Sequence, residues 1–202
     1  MPLREDHVRL TQTAKRAAGI LKDAEIPFLL AGGLASWARG GPQTDHDVDF
    51  FLRPEHADVA LKSFADAGLK TEKPPERWLY KAYDEDGTLI DLIFRPAGGP
   101  VTDDYFTHAE ELEVMGVDML VASLADVMTT KLLALNEQEP DFTSVLEISR
   151  MLREQVDWEL VRNRTQESPF AKAFFTLVEE LGIVPRSKSG VGSADAMTTS
   201  IG

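Results

Sequence analysis

The sequence predicts an α/β or α+β fold whose C-terminal part is helical. Three observations carry this. Short apolar runs alternate with helical-period stretches as far as Phe94, a hairpin pattern lies between Trp78 and Phe94, and nearly every stretch from Ser123 onward has helical spacing.

In order along the chain, Val8, Leu10, Ala14, Ala17, Ala18 and Leu21 predict a first helix from Val8 to Ala24. The run from Ile26 to Ala31 predicts a short buried strand leading into Gly32-Gly33. Leu34 to Arg39 reads as a short helix stopped by Gly40-Gly41-Pro42, and Val48 to Leu52 as a second strand. Pro54 suits a first helical turn, and Ala57 to Ala67 form an amphipathic helix closed by Gly68. Trp78 to Tyr83 and Thr88 to Phe94 read as two strands joined through Asp86-Gly87. Arg95 to Pro100 is loop-like, and Leu112 to Met119 suggests one more short strand. Ser123 can cap a helix from Leu124 to Asn136, with Asp126 three residues on. Helices are expected over Asp141–Glu154, Trp158–Arg164 and Pro169–Leu181, the last capped by Ser168 and stopped by Gly182. After Pro185 the chain lacks apolar bulk and is expected to be disordered. The organisation expected is a core over 1–121, a helical region over 122–185 and a tail over 186–202.

The 202 residues suffice for one domain with a small helical appendage, and 43% hydrophobic content is ordinary for a soluble protein. No apolar run is long enough to span a bilayer, and the amino terminus lacks a signal-peptide profile. Without cysteine there is no disulfide, thiolate metal site or thiol nucleophile, and the expected location is the cytoplasm. A net charge of −13 argues against broad, unaided binding to nucleic-acid backbone. It leaves room for a local basic patch and would suit a cationic substrate or partner.

The chemistry-bearing residues are a glycine pair and a set of aspartates. Gly32-Gly33 lets a phosphate chain approach the backbone. Asp45, Asp47 and Asp49 alternate along one stretch, so all three could share a face. A lone Asp-x-Asp is more often a turn or surface feature. Here, however, Asp49 precedes Phe50-Phe51-Leu52, and Asp91 lies within Leu89-Ile90-Asp91-Leu92-Ile93-Phe94. A carboxylate in such surroundings is costly unless a cation neutralises it. Three strand-borne aspartates can hold two magnesium ions around a transferring phosphorus, and one can take the attacking hydroxyl's proton. An EF-hand is excluded, because its sixth and twelfth positions would be Phe50 and His56. No Walker loop, HExxH or serine-nucleophile elbow is present. Lys81 suits either a phosphate contact or an edge-strand lysine. His46 should face away from the aspartates, and Asp141 is a helix cap or an acidic site residue. Trp158, Phe170, Phe174 and Phe175 are most simply core.

Gly32-Gly33, the short helix after it, Asp47-Val48-Asp49, Asp91 and the Ser123–Leu135 segment together resemble the nucleotidyltransferase superfamily related to DNA polymerase β. They are most similar to its small bacterial AbiEii-like members, some of which are toxins of toxin–antitoxin pairs. The resemblance implies an α+β fold: a mixed sheet flanked by helices, a C-terminal helical bundle, and the nucleotide between them. It implies that Asp47, Asp49 and Asp91 bind Mg2+, that Gly32, Gly33 and Ser36 meet the phosphates, and that Lys131 reaches the triphosphate. Outside a family context such a lysine is more often solvated. Thr44 sits one residue earlier than the family's hydroxyl residue, and Arg39 substitutes for its basic one. The implied activity is Mg-dependent transfer of a nucleoside monophosphate from an NTP to an acceptor. That acceptor is expected to be a tRNA end docked on Arg150, Arg153, Arg162 and Arg164, with a cognate antitoxin as protein partner. The alternatives are a protein or aminoglycoside-like acceptor, or a non-catalytic nucleotide-binding protein. A glycosyltransferase would leave the glycine pair unexplained.

Overall fold

The computed structural model describes residues 4–44 and 46–186. The tail expected to be disordered lies outside them apart from Arg186, as does Asp45. Helix α1 (Glu5–Asp23) buries His7, Leu10, Ala14, Ala17, Ala18 and Leu21 along one stripe. Then follow β1 (Phe28–Leu30), α2 (Gly32–Ala38), β2 (Val48–Leu52), a 3-10 turn at Pro54–His56 and α3 (Ala57–Asp66). Strands β3 (Lys70–Glu72), β4 (Leu79–Tyr83) and β5 (Leu89–Ile93) precede α4 (Asp103–Thr107), β6 (Glu110–Val114) and β7 (Val117–Val121). Four helices complete the described chain: α5 (Leu124–Ala134), α6 (Thr143–Leu152), α7 (Trp158–Thr165) and α8 (Pro169–Glu180). Ser123 and Ser168 cap α5 and α8 through their side chains.

The seven strands form one mixed sheet in the order β3-β4-β5-β2-β1-β7-β6. The pairs β2–β5 and β1–β7 are parallel, whereas β1–β2, β3–β4, β4–β5 and β6–β7 are antiparallel. On the central strands the period of two separates core from site. Val48, Phe50, Leu52, Ile90 and Leu92 are fully buried on the face covered by α1 and α3. Asp49, Phe51, Asp91 and Ile93 project from the other face into a cavity.

Three features depart from the sequence reading. Leu112–Met119 is not one strand but parts of two, joined at Met115-Gly116, where both residues have positive φ (51° and 76°). That geometry makes the tightest hairpin turn. The added strand β3 is polar and lacks alternation, and α4 is only five residues long, so neither left a periodic signal. Finally, β4 lies between β3 and β5, so Lys81 is not on an edge strand.

Candidate active site

The register of the central strands builds the site. Asp49 on β2 pairs directly with Asp91 on parallel β5, and Asp91 pairs with Lys81 on β4, so the three side chains lie in a row on one face. Asp47 lies two residues before Asp49 and joins the row. Asp47, Asp49 and Asp91 each offer an oxygen, and these lie within 4.8 Å of one another. Lys81 Nζ donates to Asp91 Oδ1 at 3.0 Å.

The charge of this cluster is incompletely matched. Asp49 is pushed up to about 8, first by burial and then by the neighbouring Asp47 and Asp91 charges, against the pull of Lys131 and Lys81. Burial raises Asp91 as well, with the Lys81 hydrogen bond opposing it. Three hard oxygens from closely spaced strands, short of cationic compensation, fit a small hard dication.

The glycine pair has a structural duty here. Gly32 adopts φ +56°, and a Cβ there would fall 1.7 Å from Asp49 Oδ2. A Cβ on Gly33 would fall 2.8 Å from Thr44 Oγ1. The pair therefore lets Asp49 and Thr44 close over the start of α2 as well as leaving backbone open to a ligand. The amide of Ala31 donates to the Asp49 carbonyl at 2.9 Å and ties this turn to β2.

Two cavities meet at Asp47 and Lys131. One, of about 650 Å3, is lined by Gly33, Ser36, Thr44 and His46 and closed by α6 residues. The other, of about 550 Å3, contains Gly32, Asp49 and Asp91 with Phe51, Trp78 and Arg95. Both volumes suit small ligands.

Of the residues expected from the sequence, Gly32, Gly33, Asp47, Asp49, Asp91 and Lys131 are brought together. Ser36 lines the first cavity but is 1% exposed, and its hydroxyl donates to the Gly32 carbonyl at 3.3 Å. Arg39 is not brought to the site. At the far end of α2, its guanidinium donates to the carbonyls of Val121 and Ala122 and pairs with Glu110 at 2.5 Å. His46 lines the first cavity beside Asp47, because the chain bends there and the alternation of β2 does not extend upstream. Just before α6, the Thr143 side chain and then the Thr143 amide, which donates to Asp141 at 2.8 Å, hold the Asp141 carboxyl below the usual range.

The arginine strip expected to dock RNA is largely consumed within the protein. Arg153 pairs with Glu154, Arg162 with Glu179, and Arg164 with Asp126 and Asp104. The sequence reading missed Trp78 and Arg95 in the second cavity and His7 behind the first. His7 Nδ1 bonds the Thr44 carbonyl at 2.8 Å, and its ring stands edge-on to Trp37. A histidine on the buried stripe of α1 was the available signal for the last.

No protein-family model matches this sequence, and no curated protein matches it either. Solved structures do match its shape. The antibiotic-resistance factor ANT(2'')-Ia, in complex with adenylyl-2''-tobramycin, superposes with a TM-score of 0.59 at 12% identity, over 81% of this chain and 98% of that one. Its solution structure gives 0.58 at 12% identity, over 87% and 98%. A provisionally assigned nucleotidyltransferase from Helicobacter pylori gives 0.51 at 18% identity, over 90% and 83%. The chain has the nucleotidyltransferase fold.

Proposed function

We propose that the chain is a magnesium-dependent nucleotidyltransferase that moves a nucleoside monophosphate from an NTP onto an acceptor hydroxyl. The observation that carries this is the convergence of the Asp47, Asp49 and Asp91 oxygens within 4.8 Å, on a fold shared with such enzymes, at the junction of two cavities. Asp47, Asp49 and Asp91 would hold the metal, which when bound neutralises polyphosphate and lowers the pKa of an attacking hydroxyl. The polyphosphate belongs on the side of Gly33, Thr44 and Lys131, where the ammonium offsets its charge. Asp91 opens into the other cavity and takes the acceptor's proton, with Lys81 holding its carboxyl in place.

The test is label transfer from each α-labelled NTP in the presence of Mg2+ and a panel of acceptors. Wild type should transfer one nucleotide with a clear preference. Undiminished transfer by Asp91→Asn would sink the three-carboxylate mechanism.

A small hydroxyl compound as acceptor is the second reading, favoured by the cavity beside Asp91 and by the tobramycin adduct held by ANT(2'')-Ia. For RNA docked on the helical half, three of the four arginines expected to hold it are ion-paired within the protein. The toxin-like setting in the cytoplasm, with a cognate antitoxin, is tested by expression. Wild type but not Asp49→Asn should arrest growth, and equal growth of both strains would reject it.

A further inference from the structure

We infer that His7, in the first turn of α1, is a positioning residue for the nucleotide. Its hydrogen bond to the Thr44 carbonyl sets the wall of the phosphate-side cavity. This rests on the nucleotidyl-transfer reading above and adds to it a residue that itself touches no substrate.

The position asks for an apolar side chain. His7 lies on the buried stripe of α1 with Leu10, Ala14, Ala17 and Leu21, and none of its surface is exposed. Polar groups so buried are costly unless they are bonded. The other two on that stripe are bonded: Thr11 donates to the Val8 carbonyl of its own helix, and Thr13 donates to Asp84. His7 reaches a residue 37 positions on, with Nδ1 2.8 Å from the Thr44 carbonyl oxygen. Its Nε2 is buried and has no hydrogen-bond partner among the described residues.

The partner fixes the tautomer. A carbonyl oxygen only accepts, so Nδ1 carries the hydrogen and Nε2 carries none. The opposite tautomer would turn a lone pair toward the Thr44 oxygen and leave a buried N–H orphaned, which native structures rarely tolerate. The single bond to Thr44 therefore accounts for the ring.

What that bond holds is a stretch, Gly41 to Thr44, with neither helical nor strand structure of its own. It is held from two sides. From α2, the Ser36 carbonyl accepts from the Gly41 amide at 2.9 Å. From α1, His7 holds Thr44, and the Arg4 amide donates to Gln43 Oε1 at 3.0 Å. The His7 ring also stands edge-on to Trp37, with 4.5 Å between centroids. Thr44 and Trp37 line the phosphate-side cavity with Gly33, Asp47 and Lys131, and His7 stands behind them. The Thr44 hydroxyl lies so close to Gly33 that a Cβ there would fall 2.8 Å from it. Any shift of the Thr44 carbonyl carries that hydroxyl along and changes the space left for polyphosphate.

Three variants separate the bond from mere packing. In His7→Asn the amide nitrogen takes the place of Nδ1. In His7→Gln it takes the place of Nε2, on a side chain closer to histidine in size. His7→Phe keeps a ring and offers no donor. Binding of inorganic tripolyphosphate with Mg2+ is measured by calorimetry, so that no preferred base need be known. His7→Gln and His7→Phe should each weaken it about tenfold, and His7→Asn should stay within about twofold of wild type. In transfer assays the first two should raise the NTP KM by the same factor and leave kcat and the acceptor KM unchanged. On a Thr44→Val background, His7→Phe should add less than about twofold, because the two residues act as one unit. Nitrogen-15 NMR of wild type, with His7→Phe assigning the signal, should place the hydrogen on Nδ1. Binding by His7→Gln as tight as by His7→Asn would make His7 a packing residue and overturn the proposal. So would a hydrogen on Nε2 instead, or a wild type that does not bind tripolyphosphate. The expected order of binding in a protein that transfers no nucleotide would sink the transfer chemistry instead and leave the role of His7 standing.

Discussion

Two regions bury carboxylates and treat them in opposite ways. In the helical part, Asp126 is 1% exposed, yet it accepts from Arg164 Nη1 at 2.6 Å and from Ser123 Oγ at 2.6 Å. Arg164 also reaches Asp104 at 2.8 Å, tying α7 to α5 and α4. On the sheet face, Asp47, Asp49 and Asp91 crowd together, and the pull of Lys131 and Lys81 does not keep Asp49 from being driven up to about 8. A carboxylate that carries its own cation is part of the frame. A cluster left short of positive charge is poised to recruit it from solution.

The comparison breaks first at activity. Asp49→Asn and Asp91→Asn should each lower label transfer by about three orders of magnitude, since each removes a fixed charge from the reacting centre. The melting temperature of the metal-free protein should stay level or rise. A loss of transfer that merely followed unfolding would abolish the distinction between the regions.

Arg164→Met tests the other side. It leaves Asp126 buried without its cation, which costs about 3–5 kcal/mol. At roughly 2–4 °C per kcal/mol for a protein of this size, melting should fall by about 6–20 °C. Transfer per folded molecule, measured well below that temperature, should change less than about threefold. A large drop in specific transfer would make the network part of the site.

Acidity and metal sharpen the contrast. With its pKa raised to about 8, folded Asp49 keeps a proton that the unfolded chain releases near pH 4. Its contribution to stability is therefore present below about pH 4 and lost as pH rises through about 8. Metal-free wild type should lose melting temperature across that window relative to Asp49→Asn. Adding Mg2+ at neutral pH should restore it and release about one proton per chain, readable by calorimetry in buffers of different ionisation enthalpy. A flat difference between the two proteins, or binding without proton release, would contradict the charge shortage.

The smallest effect belongs to Arg153→Ala. Its pair with Glu154 is solvent-exposed, so its loss should cost less than about 1 kcal/mol and leave transfer unaltered. A large change in melting would mean that exposed ion pairs hold the helical part together.

What the sequence determined by itself lies on the regular elements. Apolar runs around Asp49 and Asp91 announced two buried strands carrying carboxylates, and Ser123 and Ser168 announced helix starts, because such signals are local and do not depend on partners. Strand β3 and helix α4 were illegible, and β6 and β7 were read as one strand, for the converse reason: short, polar segments are held by their neighbours. Only the tertiary structure set Asp49 opposite Asp91 and Asp91 opposite Lys81, since register between strands distant in sequence belongs to the sheet. It alone drew Arg39 away to Val121, Ala122 and Glu110, and consumed Arg162 and Arg164 in ion pairs. It alone left Arg95 beside Trp78 in the cavity of Asp91, because which side chains line a site depends on which segments the fold brings within reach.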